Sequence, residues 1–290
     1  MQTKEKTLLE LYEQSEKNDL ISLQKNFHEI INLIYNLFEK CFLNETKNNN
    51  DRKYQQVQLY KFISNSSSLL YLIQGTPIIN NTKDEKYPDL GSIYLLARAQ
   101  IENYLIFFYL YLQPDTKDEA DFKLYLYELS GLNLRQQFNY TTKEQKEKKN
   151  KEKLEIDELI EKIKHNNYFY HLSAKKRKDL LYRKPAKTMS WSELITSSYL
   201  NEEHFMKMWR LYSNYAHSEI ICYIQIAEYT KNPIELKNTL FTTLQLATIL
   251  CCILIKDLDN KYKNVNDFLD KQSEELIVRV NFFDGIGRKK

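Results

Sequence analysis

A guanidinium and an imidazole stand seven residues apart in the run Trp209-Arg210-Leu211-Tyr212-Ser213-Asn214-Tyr215-Ala216-His217-Ser218-Glu219. Seven helical steps fall only about 20° short of two full turns. A helix therefore sets Arg210 and His217 on one side, about 10.5 Å apart along its axis. Asn214 lies between them on that side, with Ser213 beside it. A neutral imidazole titrates near the pH of its medium and can take a proton from a ribose 2′-hydroxyl. A guanidinium can hold a phosphate and offset the charge that develops during transfer. Together they could cleave RNA without a metal. The structural alternative is a core His and Arg that hydrogen-bond neighbouring helices.

A second pair sits in the most apolar stretch of the chain, Ala97-Arg98-Ala99-Gln100-Ile101-Glu102. Arg98 and Glu102 are four apart and share a helix face, with Arg first, the weaker order for such a pair. Burying both charges is costly unless each finds partners. They either pair with other helices or line a polar pocket.

A third candidate is the basic stretch Lys175-Lys176-Arg177-Lys178, followed by Arg183-Lys184 and interleaved with Tyr168, Phe169, Tyr170 and Tyr182. Cations with aromatic rings suit the backbone and bases of single-stranded RNA. A solvated surface loop has the same composition. From 141 to 184 the chain carries 14 Lys+Arg and 8 Asp+Glu, a local +6 against +3 for the whole chain, so the remainder is −3.

Metal and cofactor chemistry finds little support in the spacing. Cys41, Cys222, Cys251 and Cys252 form no Cys-x-x-Cys. The Glu-x-x-His pairs that a di-iron bundle needs are missing too. The one Gly-x-Gly, Gly285-Ile286-Gly287, precedes basic residues rather than a helix, so it is not a dinucleotide fingerprint. We expect no cofactor, no metal, and cysteines that are buried, reduced thiols.

The elements that must carry these residues read as helices. Five Gly and five Pro in 290 residues are too few for turn-dense sandwiches or repeated βα loops. Apolar residues recur at three- and four-residue intervals from Leu8 to Tyr12 and from Phe27 to Phe38. Asn44–Asp51 is a polar loop. Helices are expected over 54–73, ended by Gly75 and Pro77, then over 89–112 and 118–133, with 78–88 as a polar connector. Lys143–Lys164, dense in Lys and Glu, reads as an exposed helix or a partly mobile connector. Asn201 starts a helix that runs to about Tyr229. Asn232-Pro233-Ile234-Glu235 starts another that runs to about Leu258. Residues 284–290 look frayed.

The expected fold class is an all-α multi-helix bundle. It divides into an N-terminal helical extension packed on the core (1–76), a helical core (88–260) with a basic connector (141–187), and a C-terminal helix with a basic tail (261–290).

The Arg-x6-His spacing, late in an all-helical domain, resembles the Arg-x4-6-His motif of the HEPN superfamily. Many of its members are ribonuclease toxins or antiviral effectors in prokaryotes. The resemblance covers about 90–258 and includes Arg98-x3-Glu102 on an apolar helix, then Trp191, then Trp209-Arg210-x2-Ser213-x3-His217. It implies a HEPN-like core, His217 as general base and Arg210 as phosphate contact. Arg98 and Glu102 would position His217 or bind substrate, near Ser213 and Asn214. It further implies RNA as partner, a homodimer that brings motif helices together, and a cognate inhibitor protein. The alternative is a non-catalytic interaction module in which Arg98, Glu102 and His217 form a structural polar cluster.

The N-terminal MQTKEKTLLELYEQ has no apolar signal region. The apolar run 93–112 carries Arg98, Gln100, Glu102 and Asn103, and 244–255 is short for a span. Both read as core helices, and a cytoplasmic protein without membrane contact is expected.

Overall fold

A computed structural model describes residues 2–43, 53–77 and 86–289. The expected loop at 44–51 and most of the expected connector at 78–88 lie outside the described residues. Among them the chain forms fourteen α-helices and one ribbon of two short antiparallel strands, β1 (Thr76–Pro77) and β2 (Lys86–Tyr87). The all-α expectation holds. The chain divides into two compact units, one of residues 1–107 with 195–290, the other of residues 108–194.

The first unit is built around α12 (Pro233–Lys261). Fifteen of its side chains are buried, from Leu240 to Leu258. The helix is long and apolar enough to cross a membrane, but most of that apolar stretch is covered by its neighbours. Those neighbours include α2 (Leu20–Phe38), α4 (Leu90–Phe107) and α14 (Glu274–Gly287). The buried stripe of α2 runs Leu23, Phe27, Ile30, Ile34 and Leu37, the spacing of one helix face. Helix α1 (Gln2–Glu16) packs on α14, and α3 (Lys53–Ile73) lies between α2 and α4. The described helices between 2 and 73 lie in the same compact unit as α12 and α14. Their side chains Leu11, Phe27, Ile30, Leu59 and Leu69 are as buried as any in the unit.

Caps set the helix starts. Asp19 accepts the Ser22 N–H ahead of α2. Asn232 accepts the Glu235 N–H ahead of α12, with Pro233 in its first turn as expected. Between α3, α4 and α12 the buried amide of Gln100 donates to Ser66 Oγ (2.8 Å) and to Cys251 Sγ (3.4 Å). No cysteine is in a disulfide. Burial pushes the Cys251 thiol up to about 12.

The second unit has its own core. Helices α5 (Lys117–Arg135) and α6 (Lys143–Lys164) form a hairpin, followed by α7 (Asn167–Tyr170) and α8 (Ala174–Arg183). Phe122, Leu126 and Leu129 of α5 meet Ile156, Leu159 and Ile163 of α6, with Phe169 and Leu180 closing the cluster. A full capping box at Thr142 and Gln145 starts α6. Of the two readings for this segment, an exposed helix or a partly mobile connector, the helix is the one observed. Its second half carries a narrow apolar stripe at a spacing of three and four, which α5 covers. Arg135 Nη2 bonds the buried Glu152 at 2.6 Å. Helix α9 (Trp191–Ser197) carries the chain back to the first unit.

Residues 284–289 are tied down, against the expectation of fraying. Arg288 donates from Nε to Asp284 (2.9 Å) and from Nη2 to Asp257 (2.6 Å). Tyr104 donates to the other Asp257 oxygen (2.7 Å). The Gly287 carbonyl accepts the Asn201 N–H, and the Lys289 N–H reaches the Tyr199 carbonyl. Burial holds the Asp257 carboxyl above the usual carboxylate range, against the opposing pull of Arg288. Removing one member strands the rest. Arg288→Ala is expected to lower unfolding free energy by roughly 3 kcal/mol. Chemical denaturation followed by circular dichroism measures it, and a change below about 1 kcal/mol would show the network to be energetically idle.

Candidate functional site

Helix α10 (Glu202–Ala216) carries most of the residues in question. Asn201 caps it by accepting the His204 N–H, and Glu202 and Glu203 stand in its first turn, as its sequence leads one to expect. Its apolar side, Phe205, Tyr212 and Tyr215, is buried and packs on α4. Tyr94 of α4 meets the rings of Tyr212 (4.7 Å between centroids) and Tyr215 (4.5 Å, edge-on). Burial and the adjoining phenols of Tyr212, Tyr229 and Tyr215 push the Tyr94 hydroxyl well above its ordinary value.

Beside this aromatic contact, Arg98 and Glu102 meet α10 through a third residue. Arg98 Nε donates to Glu102 Oε1 at 2.9 Å, and Trp209 Nε1 donates to the same oxygen at 3.1 Å. The Arg98 guanidinium carbon lies 5.8 Å from the Trp209 ring centroid, within cation–π range. One carboxylate thus serves a guanidinium and an indole, and the indole faces the guanidinium. The charges in the apolar helix are matched within a cluster that joins α4 to α10. Sequence reasoning found Arg98 and Glu102. Trp209 is not marked as their partner by the sequence, because the two segments are 107 residues apart.

Arg210 and His217 are placed differently. Both side chains are exposed, and neither has a hydrogen bond or ion pair among the described residues. His217 is outside the Arg98–Glu102–Trp209 cluster, so that part of the structural-cluster expectation does not hold. Ser213 Oγ donates to the Trp209 carbonyl one turn back (2.7 Å), which occupies its hydroxyl within the helix. Asn214 is half-buried, and its carbonyl accepts the N–H groups of His217 and Glu219.

The helix expected to run to Tyr229 breaks at this point. Ser218 takes a left-handed conformation (φ +54°). The Glu219 N–H bonds the Asn214 carbonyl and the Ser218 N–H bonds the Tyr215 carbonyl, the paired bonds of a Schellman ending. His217 is the C-cap, at φ −104° and ψ 6°. Arg210 stands inside the helix, whereas His217 stands one residue past its last helical residue. A new helix, α11 (Ile220–Tyr229), follows at once. Tyr215 Oη donates to Gln225 Oε1 across the break (3.0 Å).

The basic candidates lie on and just after α8, in the second unit. Lys175, Lys176, Lys178 and Arg183 are exposed. Arg177 is half-buried, its guanidinium 5.4 Å from the Tyr170 ring. Lys184 is left-handed (φ +47°) and donates to Asn133 Oδ1 (3.3 Å). Tyr182 is 85% exposed and Tyr170 69%. Tyr168 and Phe169, by contrast, pack on Phe122. Among the described residues, no three His, Cys, Asp or Glu side chains gather as a metal ion would need.

A left-handed non-glycine residue costs about 1 kcal/mol or more. Ser218→Gly is therefore expected to raise stability by roughly 0.5–1 kcal/mol, and Ser218→Val to lower it by more than about 1 kcal/mol. Urea titrations of the three proteins compare them directly. Equal midpoints would mean that the break at Ser218 is not held in solution.

Compared with known protein families, with curated proteins and with solved structures, the chain has no significant match.

Proposed function

We propose that this chain is a helical RNA-binding protein that cleaves RNA without a metal, with His217 as the base and Arg210 as the phosphate contact. One observation carries the reading: the imidazole and the guanidinium are both exposed, and neither side chain has a hydrogen bond or ion pair among the described residues, the one at the C-cap of α10 and the other on the helix itself. A histidine and arginine kept for packing would be spent on neighbouring groups. The resemblance of Arg210-x6-His217 to the HEPN motif supports the same assignment.

The step balances without a cofactor. His217 accepts the proton of a ribose 2′-hydroxyl, and the 2′-oxygen forms a bond to the adjacent phosphorus. The 5′-oxygen leaves with a proton from water or an acid group, and a 2′,3′-cyclic phosphate remains. Arg210 offsets the charge that builds on the phosphoryl oxygens. Arg98 and Glu102 do not enter the step. Through Trp209 they hold the stretch of α10 that carries Arg210, which makes them positioning residues.

In the second unit, Lys175, Lys176, Lys178 and Arg183 supply phosphate contacts, and Tyr170 and Tyr182 offer faces on which bases can stack. The second reading is a non-catalytic interaction module. The closed Arg98–Glu102–Trp209 cluster favours it, because that cluster is complete without any ligand.

Exposure of His217 makes the test clean, since its removal leaves no buried group unpaired. With single-stranded RNA in a chelator-containing buffer, His217→Ala is expected to slow cleavage about a hundredfold or more with an unchanged far-ultraviolet spectrum. Growth arrest on expression should be lost with it. Cleavage at the parental rate in His217→Ala, or no cleavage by the parent, sinks the nuclease reading and leaves the interaction module. Separately, Lys175→Glu/Lys176→Glu/Lys178→Glu is expected to weaken RNA binding and to reduce the slope of log affinity against log salt by about 2. An unchanged slope would remove α8 from the RNA contact.

A further inference from the structure

Helix α1 packs chiefly on α14 rather than along α2, and a cavity of about 360 Å³ is left where α1, α2 and Arg279 of α14 meet. Its floor is polar where the seam between two helices is ordinarily apolar. Thr7 and Gln14 of α1 and Asn26 of α2 line it, and they are 3%, 7% and 9% exposed. Asn26 Nδ2 donates to Gln14 Oε1 at 2.7 Å. The other end of that amide, Gln14 Nε2, is buried without a hydrogen-bond partner among the described residues. A buried donor left unpaired costs about 1–3 kcal/mol, so such groups are as a rule paired by protein, water or ligand. The space is far larger than the share of one water molecule, about 30 Å³.

The rim charges divide into engaged and free. Glu13 holds Lys17 at 2.9 Å. Asp19 accepts the N–H and the hydroxyl of Ser22. Glu29 shares Arg279 with Glu275. Lys25, in contrast, is exposed and has no hydrogen bond or ion pair among the described residues. Glu10 meets only Lys6, at 3.9 Å and with both side chains exposed, a pairing worth little. What remains unspent is therefore one amide donor at the floor, one ammonium and one carboxylate. The lining as a whole carries four carboxylates and three cations, a net −1, which disfavours a bare anion.

We propose that this cavity binds a small zwitterion, a free amino acid with a neutral or basic side chain. Its carboxylate accepts from Gln14 Nε2 and Lys25, and its ammonium meets Glu10. The site lies on α1 and α2 and is independent of the nuclease reading. The test is titration of the full chain with L-glutamine, L-leucine, L-lysine and L-glutamate, read by calorimetry and by melting temperature. Acetate and methylamine carry the two charged ends separately. At least one of the first three amino acids is expected to bind with a dissociation constant below about 1 mM and to raise the melting temperature with its concentration. L-glutamate, acetate and methylamine should each bind about tenfold more weakly or worse. Lys25→Met and Glu10→Gln alter exposed side chains, should keep the helical spectrum, and should each weaken binding about tenfold or more. Gln14→Leu, which removes the unpaired donor, should weaken it as well. No binding of L-glutamine, L-leucine or L-lysine at about 10 mM overturns the proposal. Acetate bound as tightly as the amino acids overturns it too, since the cavity would then be a simple anion site. Binding unchanged in Lys25→Met also overturns it, because the ligand would sit elsewhere.

Discussion

The burial of α12 governs the first unit. A 29-residue helix that is apolar on nearly every side must be covered on nearly every side, and no one neighbour is wide enough to do so. Helices from both ends of the chain, α2 and α4 before it and α14 after it, supply that cover. This explains why residues 2–73, which look separable by position, share a core with residues near 280. Two polar groups that enter this core, one charged and one neutral, are matched there. Asp257 meets Tyr104 and Arg288, and Gln100 meets Ser66 and Cys251.

Against that background α10 and α11 make a contrast. α10 buries one tyrosine-rich side on α4 and is pinned by a carboxylate that Arg98 and Trp209 share. One left-handed residue later, α11 turns isoleucines outward. The Schellman turn at Ser218 is the local cause. It ends the helix with its last carbonyls satisfied, leaves His217 at the surface, and redirects the next ten residues away from the path that would have continued α10.

What could be read from the sequence follows from this physics. Helix starts were legible at Asn201 and Asn232, because capping side chains and a first-turn proline act within four residues of themselves. The break at Ser218 was not. Glycine or asparagine usually marks a left-handed ending, and here a serine bears the strain. The α6 stripe of Ile156, Leu159 and Ile163 is diluted by lysines and glutamates, so the sequence left open whether the segment is an exposed helix or a connector. Arg98 and Glu102 were legible as a pair because helical spacing is local. Trp209 as their partner, and Arg288 as the partner of Asp257, depend on distant chain segments meeting, which periodicity does not encode.

The cysteines have a consequence for how this chain can be followed in solution. Cys251 and Cys252 lie at the centre of α12, fully enclosed, and burial raises both thiols far from the reactive thiolate form. A thiol reagent reaches them only when the helices around α12 separate. Their rate of alkylation is therefore a clock for opening of the main core, kept by the protein's own atoms and blind to movements at the surface.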